Sequence, residues 1–188
     1  MKKNAWIKKL KNQEACRESI AWASQYPTAQ EAWSACERGD WMLWAWSRNY
    51  GKQGSESHRR LVLCCVEIAK TGVKYIKNKE AKKVIQKSLD TTKRWARGEE
   101  GVTLEDVENA GADAFSFSAS FDLASSEYAD YANVVANCAA TGDTSWTACF
   151  VDYSLCVHTI SKEGIYKKCA NIIRKLQPEC PKFRRVTG

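Results

Sequence analysis

Two histidines, nine cysteines and a band of arginines set among tryptophans are the residues of this chain with chemistry to offer. His58 stands directly before Arg59 and Arg60 at an expected helix start. There the neighbouring guanidinium groups disfavour an imidazolium, and the open backbone N–H groups can hold a phosphate. The plainer reading of His58 is a surface residue. His158 follows Cys156 by two residues, and Cys149 lies seven residues before Cys156. These three could supply part of a zinc site, but structural zinc sites usually carry a close pair such as Cys-x-x-Cys, and this chain has none. No metal is expected. Cys64 and Cys65 sit inside an apolar helical pattern, and Cys138, Cys149, Cys156 and Cys169 lie among Ala, Val, Ile and Leu. Such contexts, with an odd total, read as reduced cysteines acting as small hydrophobes rather than as a disulfide framework. A cytoplasmic location follows as the expectation.

Acid–base and nucleotide motifs are missing. There is no Gly-x-Ser-x-Gly, His-Glu-x-x-His, Gly-x-x-x-x-Gly-Lys-Ser/Thr or Gly-x-Gly-x-x-Gly. Asp113 with Asp122, and Glu127 with Asp130, fall in a strongly acidic block and read as the solvated face of a helix. Neither a catalytic residue nor a cofactor is expected, and an unrecognised enzyme is the third-ranked reading. Trp22, Trp33, Trp41, Trp44 and Trp46 fall within 25 residues. As core they would hold short helices together; as surface they could be partner hot spots or stacking platforms. The candidate ligand- or partner-binding group is therefore Arg38, Trp41, Arg48, His58, Arg59 and Arg60, near the junction of the Trp41 helix and the next. Arginine offers a permanent planar fork for phosphate or carboxylate, and tryptophan an apolar wall.

The elements that must position these residues all read as helices. Apolar residues at helical spacing over 13–25 end at Pro27. Thr28 with Glu31 makes a capping box for a helix through Cys36. Gly39 suits the left-handed residue past that helix, and Asp40 the N-cap of the next, over 41–49. After the connector 51–57, helices are expected over 58–77 and, capped by Asn78, over 79–97. Thr103 with Asp106 opens a long, small-residue-rich helix over about 104–140. The period resumes over 146–160, and a last helix over 165–176 ends at Pro178 and Pro181. No alternating strand pattern and no fixed repeat appears. The expectation is an all-α, single-domain bundle of about seven or eight helices. It comprises Trp-rich N-terminal helices over 13–50, a central and C-terminal bundle over 58–177 and a basic tail over 178–188.

Charge is blocked along these 188 residues. Residues 1–98 carry 21 Lys+Arg against 9 Asp+Glu, residues 99–161 carry 11 Asp+Glu and no Lys or Arg, and residues 162–188 carry 8 against 2. A nucleic-acid binder usually concentrates positive charge without a matching acidic block, so nucleic acid is not the expected partner. The blocks can pair within one molecule or between neighbours, which favours a homo-oligomer or a protein partner. No apolar run approaches the roughly 20 residues of a membrane span, so no membrane role is expected.

The stretch Thr28-Ala-Gln-Glu-Ala-Trp-Ser-Ala-Cys-Glu-Arg-Gly-Asp-Trp-Met-Leu-Trp44 resembles the opening motif of a family of α-helical immunity proteins found in bacteria and their phages. Trp95-Ala-Arg-Gly-Glu99, followed by a small-residue-rich helix, is similar to that family's middle, and Lys167-Lys-Cys-Ala-Asn-Ile-Ile-Arg174 to its closing helix. The long helix here interleaves Phe, Ser and Asp where the family is richer in alanine. The resemblance implies a helical, non-enzymatic stoichiometric binder that neutralises a protein toxin or defence factor. The alternative is an oligomeric sponge that sequesters an anionic nucleotide signal.

Overall fold

A computed structural model describes residues 3–73, 76–118, 136 and 162–183. Among the described residues there are eight helices and no strand, so the chain is all-α. Helix α1 (Lys3–Asn12) buries Trp6 and Leu10, one turn apart, while Lys8 and Lys11 stay exposed. The helix expected over 13–25 forms only in its second part. Gln13 donates back to Lys9 O, Glu14 takes a left-handed φ of 63°, and Cys16 starts helix α2 (Arg17–Ala23) by accepting from Ser19 N–H. The sequence reading overlooked α1 because its two core residues are diluted by lysines.

Helix α3 (Ala29–Ala35) opens on the expected capping box: Thr28 Oγ1 accepts from Glu31 N–H and donates to Glu31 Oε1 at 2.9 Å. Helix α4 (Gly39–Ser47) corrects the reading of two residues. Gly39 is not a left-handed stop but the first helical residue, and Asp40 lies in the first turn rather than at the N-cap. A Cβ on Gly39 would lie 2.5 Å from Cys169 Cβ, 2.9 Å from Ala170 N and 3.0 Å from Tyr166 O. Glycine is there so that α4 can touch helix α8 (Lys162–Leu176).

Helix α5 (Glu56–Val73) carries the longest buried stripe, including Leu61, Val62, Cys64, Cys65, Ile68 and Gly72. Helix α6 (Lys79–Arg97) begins at Asn78, whose Oδ1 accepts from Glu80 and Ala81 N–H, and ends at Gly98, left-handed at φ 73°. Helix α7 (Leu104–Ser118) starts at Thr103, whose Oγ1 accepts from Asp106 N–H while the Asp106 carboxylate takes Thr103 N–H and O–H. Apart from the helical Ala136, the expected continuation to about 140 and the expected helix over 146–160 lie outside the described residues.

Helix α6 packs between α5 and α7, and α8 packs on α4 and α5. The main core gathers Trp6, Trp33, Met42, Leu43, Trp46, Leu61, Ile85, Leu89 and Ile173. A satellite of Val62, Trp95, Ala96, Val107 and Ala136 joins α5, α6 and α7. The segment after α8 folds back on the N-terminal helices. Gln177 O accepts from Trp33 Nε1 at 2.9 Å, Cys180 N–H donates to Gln30 Oε1 at 2.7 Å, and Phe183 O accepts from Lys9 Nζ at 2.7 Å. Phe183 stacks on Trp6 with ring centres 6.4 Å apart.

Candidate functional site

Of the six candidate site residues, Arg38 and Trp41 stand at the start of α4, a nine-residue helix about 13 Å long by its rise. Arg48 caps its end, and His58, Arg59 and Arg60 lie in the first turns of α5. At the start of α4, Arg38 is held from three sides. Its guanidinium carbon lies 4.4 Å from the ring centre of Trp41 and 4.4 Å from that of Tyr166. Its Nε and Nη2 donate to the two carboxylate oxygens of Asp40 at 2.9 and 2.5 Å. Asp40 is buried, whereas the Arg38 side chain keeps 38% of its surface exposed. Trp41 continues outward through a chain of half-buried rings, 5.9 Å to Trp22 and then 4.8 Å from Trp22 to Tyr26. The result is a partly exposed aromatic strip with one fixed guanidinium at its centre. Two ring faces and a bidentate carboxylate leave that fork few rotamers, so its orientation is set before any partner arrives.

The other end of α4 has a different character. Arg48 is its exposed C-cap, with its backbone N–H returned to Trp44 O. His58 is not a surface residue: it is fully buried. Its Nδ1 accepts from Gly54 N–H at 2.9 Å, the Tyr50 ring lies 4.8 Å away, and Trp95 meets it edge-on at 6.0 Å. An Nδ1 that accepts from a backbone amide carries no proton of its own. His58 therefore pins the Gly51–Ser55 connector to the bundle. The sequence did hold a signal for this, since 58, 61, 62 and 65 share one face of α5, but the two arginines beside it masked the pattern. Arg59 lies over the same Trp95 ring, 5.3 Å from its centre. Arg60 Nε stands 3.9 Å from Glu56 Oε1, a loose one-turn pair.

The structure thus brings Arg38 and Trp41 together, places His58 beside Arg59 through Trp95, and leaves Arg48 and Arg60 outside both groups. Sequence reasoning missed Asp40 and Tyr166 as partners of Arg38, and Trp95 and Tyr50 as the walls around His58. Asp40 was legible two residues from Arg38. Tyr166 was not, because it arrives from α8, 128 positions away along the chain.

The described cysteines are all free thiols. Burial pushes Cys36 up to about 11 and Cys169 and Cys180 up to about 12, and lifts Cys64 well above an ordinary thiol. Thiols so protonated at neutral pH make poor nucleophiles. Cys149, Cys156 and His158, the residues of the partial zinc reading, lie outside the described residues, as do Cys138, Asp122, Glu127 and Asp130. Among the described residues, no three His, Cys, Asp or Glu side chains gather to hold a metal, and no helix is long and apolar enough to cross a membrane. No protein-family model, curated protein or solved structure matches the chain.

Proposed function

We propose that this protein is a non-enzymatic stoichiometric binder of the immunity or anti-defence type, which neutralises a protein toxin or defence factor by covering part of its surface. The observation that carries this reading is the strip Tyr26–Trp22–Trp41–Arg38. Tryptophan, tyrosine and arginine are the residues that dominate binding energy at protein interfaces. Here they are half-buried and contiguous, and Arg38 is fixed in advance, which lowers the entropy lost on binding. The same residues lie in or beside the stretch that resembles immunity proteins. The high pKa values of the buried thiols support a binding role over nucleophilic chemistry at those groups. The absence of disulfides among the described residues supports work in a reducing compartment such as the cytosol.

The test is neutralisation in cells. The protein is expressed in bacteria carrying a panel of single defence systems or toxins, and restored plaque formation or growth is scored. One member should be relieved, and Arg38→Ala with Trp41→Ala should weaken binding to the relieved target by about 30-fold or more at hot-spot magnitudes while the fold stays intact by circular dichroism. No relief across the panel, or full relief by the folded double variant, overturns the reading. If a nucleotide in place of a protein is the target, purified protein should instead gain about 2.7 kcal/mol of stability at 100 times the dissociation constant.

A further inference from the structure

We propose that α1 and α3 carry a peptide-binding site, which residues 177–183 fill in this chain and which an extended segment of another protein takes over by displacing them. This strap forms no helix or strand of its own. Among the described residues, its hydrogen bonds to the two helices all end on strap main-chain atoms. Trp33 Nε1 donates to Gln177 O at 2.9 Å, and Lys9 Nζ donates to Phe183 O at 2.7 Å. Gln30 clamps the middle with both atoms of its amide. Its Nε2 donates to Pro178 O at 3.1 Å, and its Oε1 accepts from Cys180 N–H at 2.7 Å. An amide that takes a carbonyl and an N–H from one short stretch reads a backbone that any sequence offers. Side chains are selected at two positions. Pro181 and Phe183 are buried, whereas Pro178, Glu179 and Lys182 are exposed, so residues 181–183 alternate as an extended chain does. Phe183 lies on the Trp6 ring, 6.4 Å between centres and 23° from parallel. Main-chain hydrogen bonds for affinity, with sockets for alternate side chains, are how extended peptides are recognised on protein surfaces.

The strap is an imperfect occupant. Trp6, on which Phe183 stacks, is 2% exposed, and its Nε1 finds no acceptor among the described residues. Gln177 Oε1, buried at the other end of the strap, finds no donor among them. Buried polar atoms are nearly always paired, and an unpaired one gives up its hydration with nothing in return. A peptide that keeps the aromatic residue and offers an acceptor to Trp6 Nε1 therefore holds this site better than the strap does. The occupant is an extended peptide of a second protein with an aromatic residue two positions after a proline. It is free to vary at the positions matching the exposed Glu179 and Lys182. This site shares no residue with the strip Tyr26–Trp22–Trp41–Arg38, so either assignment can fail without the other.

The probe is the peptide acetyl-Gln-Pro-Glu-Cys-Pro-Lys-Phe-amide, which copies residues 177–183, titrated under reducing conditions into the isotope-labelled full chain. Binding should speed hydrogen exchange at the chain's own Cys180 amide, because the peptide takes Gln30 Oε1 from it. Phe183→Ala in the chain should tighten peptide binding by about tenfold or more over wild type, since a weakened strap leaves a larger fraction of sites open. Phe183→Leu keeps an apolar side chain there and serves in its place if Phe183→Ala fails to fold. A peptide N-methylated at the residue matching Cys180 should bind about tenfold more weakly. Alanine at the positions matching Glu179 and Lys182 should change binding by less than about twofold. Millimolar peptide that leaves the wild-type chain unbound overturns the proposal, as does binding that leaves the Cys180 amide protected or equal binding of the methylated peptide. A wild-type chain that dimerises as it loses peptide binding gives the site to a second copy's strap, and overturns the foreign occupant.

Discussion

Replacing Gly39 with alanine sets two well-measured effects against each other. In an ordinary exposed helix the change would stabilise by about 0.5–1 kcal/mol, since alanine loses less backbone entropy and favours the helix. Here the new methyl would sit 2.5 Å from Cys169 Cβ, where carbon–carbon contacts are comfortable only near 3.5–4.0 Å. Its other neighbours, Ala170 N and Tyr166 O, are backbone atoms of α8 and cannot swing aside. Relief requires α8 to retreat by about 1 Å, against a typical overpacking cost of about 1–3 kcal/mol. With backbone on two sides the upper end applies, leaving a net loss of about 2 kcal/mol after the propensity gain. At roughly 2–4 °C per kcal/mol for a chain of this size, Tm should fall by about 4–8 °C, with a parallel drop in urea midpoint at constant slope. Cys169→Gly in the same chain should return part of the loss, because the shortest of the three contacts is removed. Gly39→Ala with wild-type or higher stability would refute the close α4–α8 crossing.

Gly98→Ala should destabilise by about 1 kcal/mol in thermal denaturation, because a left-handed φ of 73° is strained for any residue with a Cβ. The added atom would fall 2.8 Å from Arg59 Nη1, a flexible tip that can move. Asn78→Ala should remove the cap of α6 and lower stability by about 1 kcal/mol, while Asn78→Asp should lower it far less. The buried thiols give a pH signature. Their folded pKa values stand above the unfolded value of 9.0, at about 11 for Cys36 and about 12 for Cys169, so their contribution is intact below pH 9 and drains away as pH rises toward 12. Urea midpoints that stay flat across that alkaline range would contradict the burial. Asp106 works in the opposite sense: its hydrogen bonds from Thr103 hold its carboxyl below the usual value, so the start of α7 should keep its cap above that range and lose it only as acid protonates the group. An NMR titration of Asp106 at the ordinary aspartate value would rule this out.

Local chemistry was legible in the sequence wherever one segment determined it. The Thr28–Glu31 box, the Asn78 cap and the Thr103–Asp106 start each need only residues within three positions, and each is formed. The periodic stripes of α5, α6 and α8 were equally plain, because their apolar residues recur without interruption. What failed needed information from afar. Gly39 looked like a helix stop because a glycine between two helical patterns usually is one, and only the proximity of Cys169 shows that it marks a crossing. His58 was read from its charged neighbours when its own helical phase pointed inward. The candidate site suffered most, since Arg38 is positioned as much by Tyr166 as by anything near it in the sequence.

The fold-back of residues 177–183 onto α1 and α3 has a consequence for how the chain emerges from a ribosome. Trp33 finds its carbonyl acceptor 144 positions later, Lys9 finds its own 174 positions later, and Gly39 is covered only by α8. The N-terminal helices therefore wait, with Trp6 and Trp33 lacking their final cover, until residues 177–183 have been made. At about 5–20 residues per second that wait lasts on the order of ten to thirty seconds. Completion by such distant partners also slows the final step of folding, because loop closure must precede the contacts that reward it. Pulse proteolysis of stalled nascent chains should find the first fifty residues open to cleavage until α8 is released, then abruptly protected.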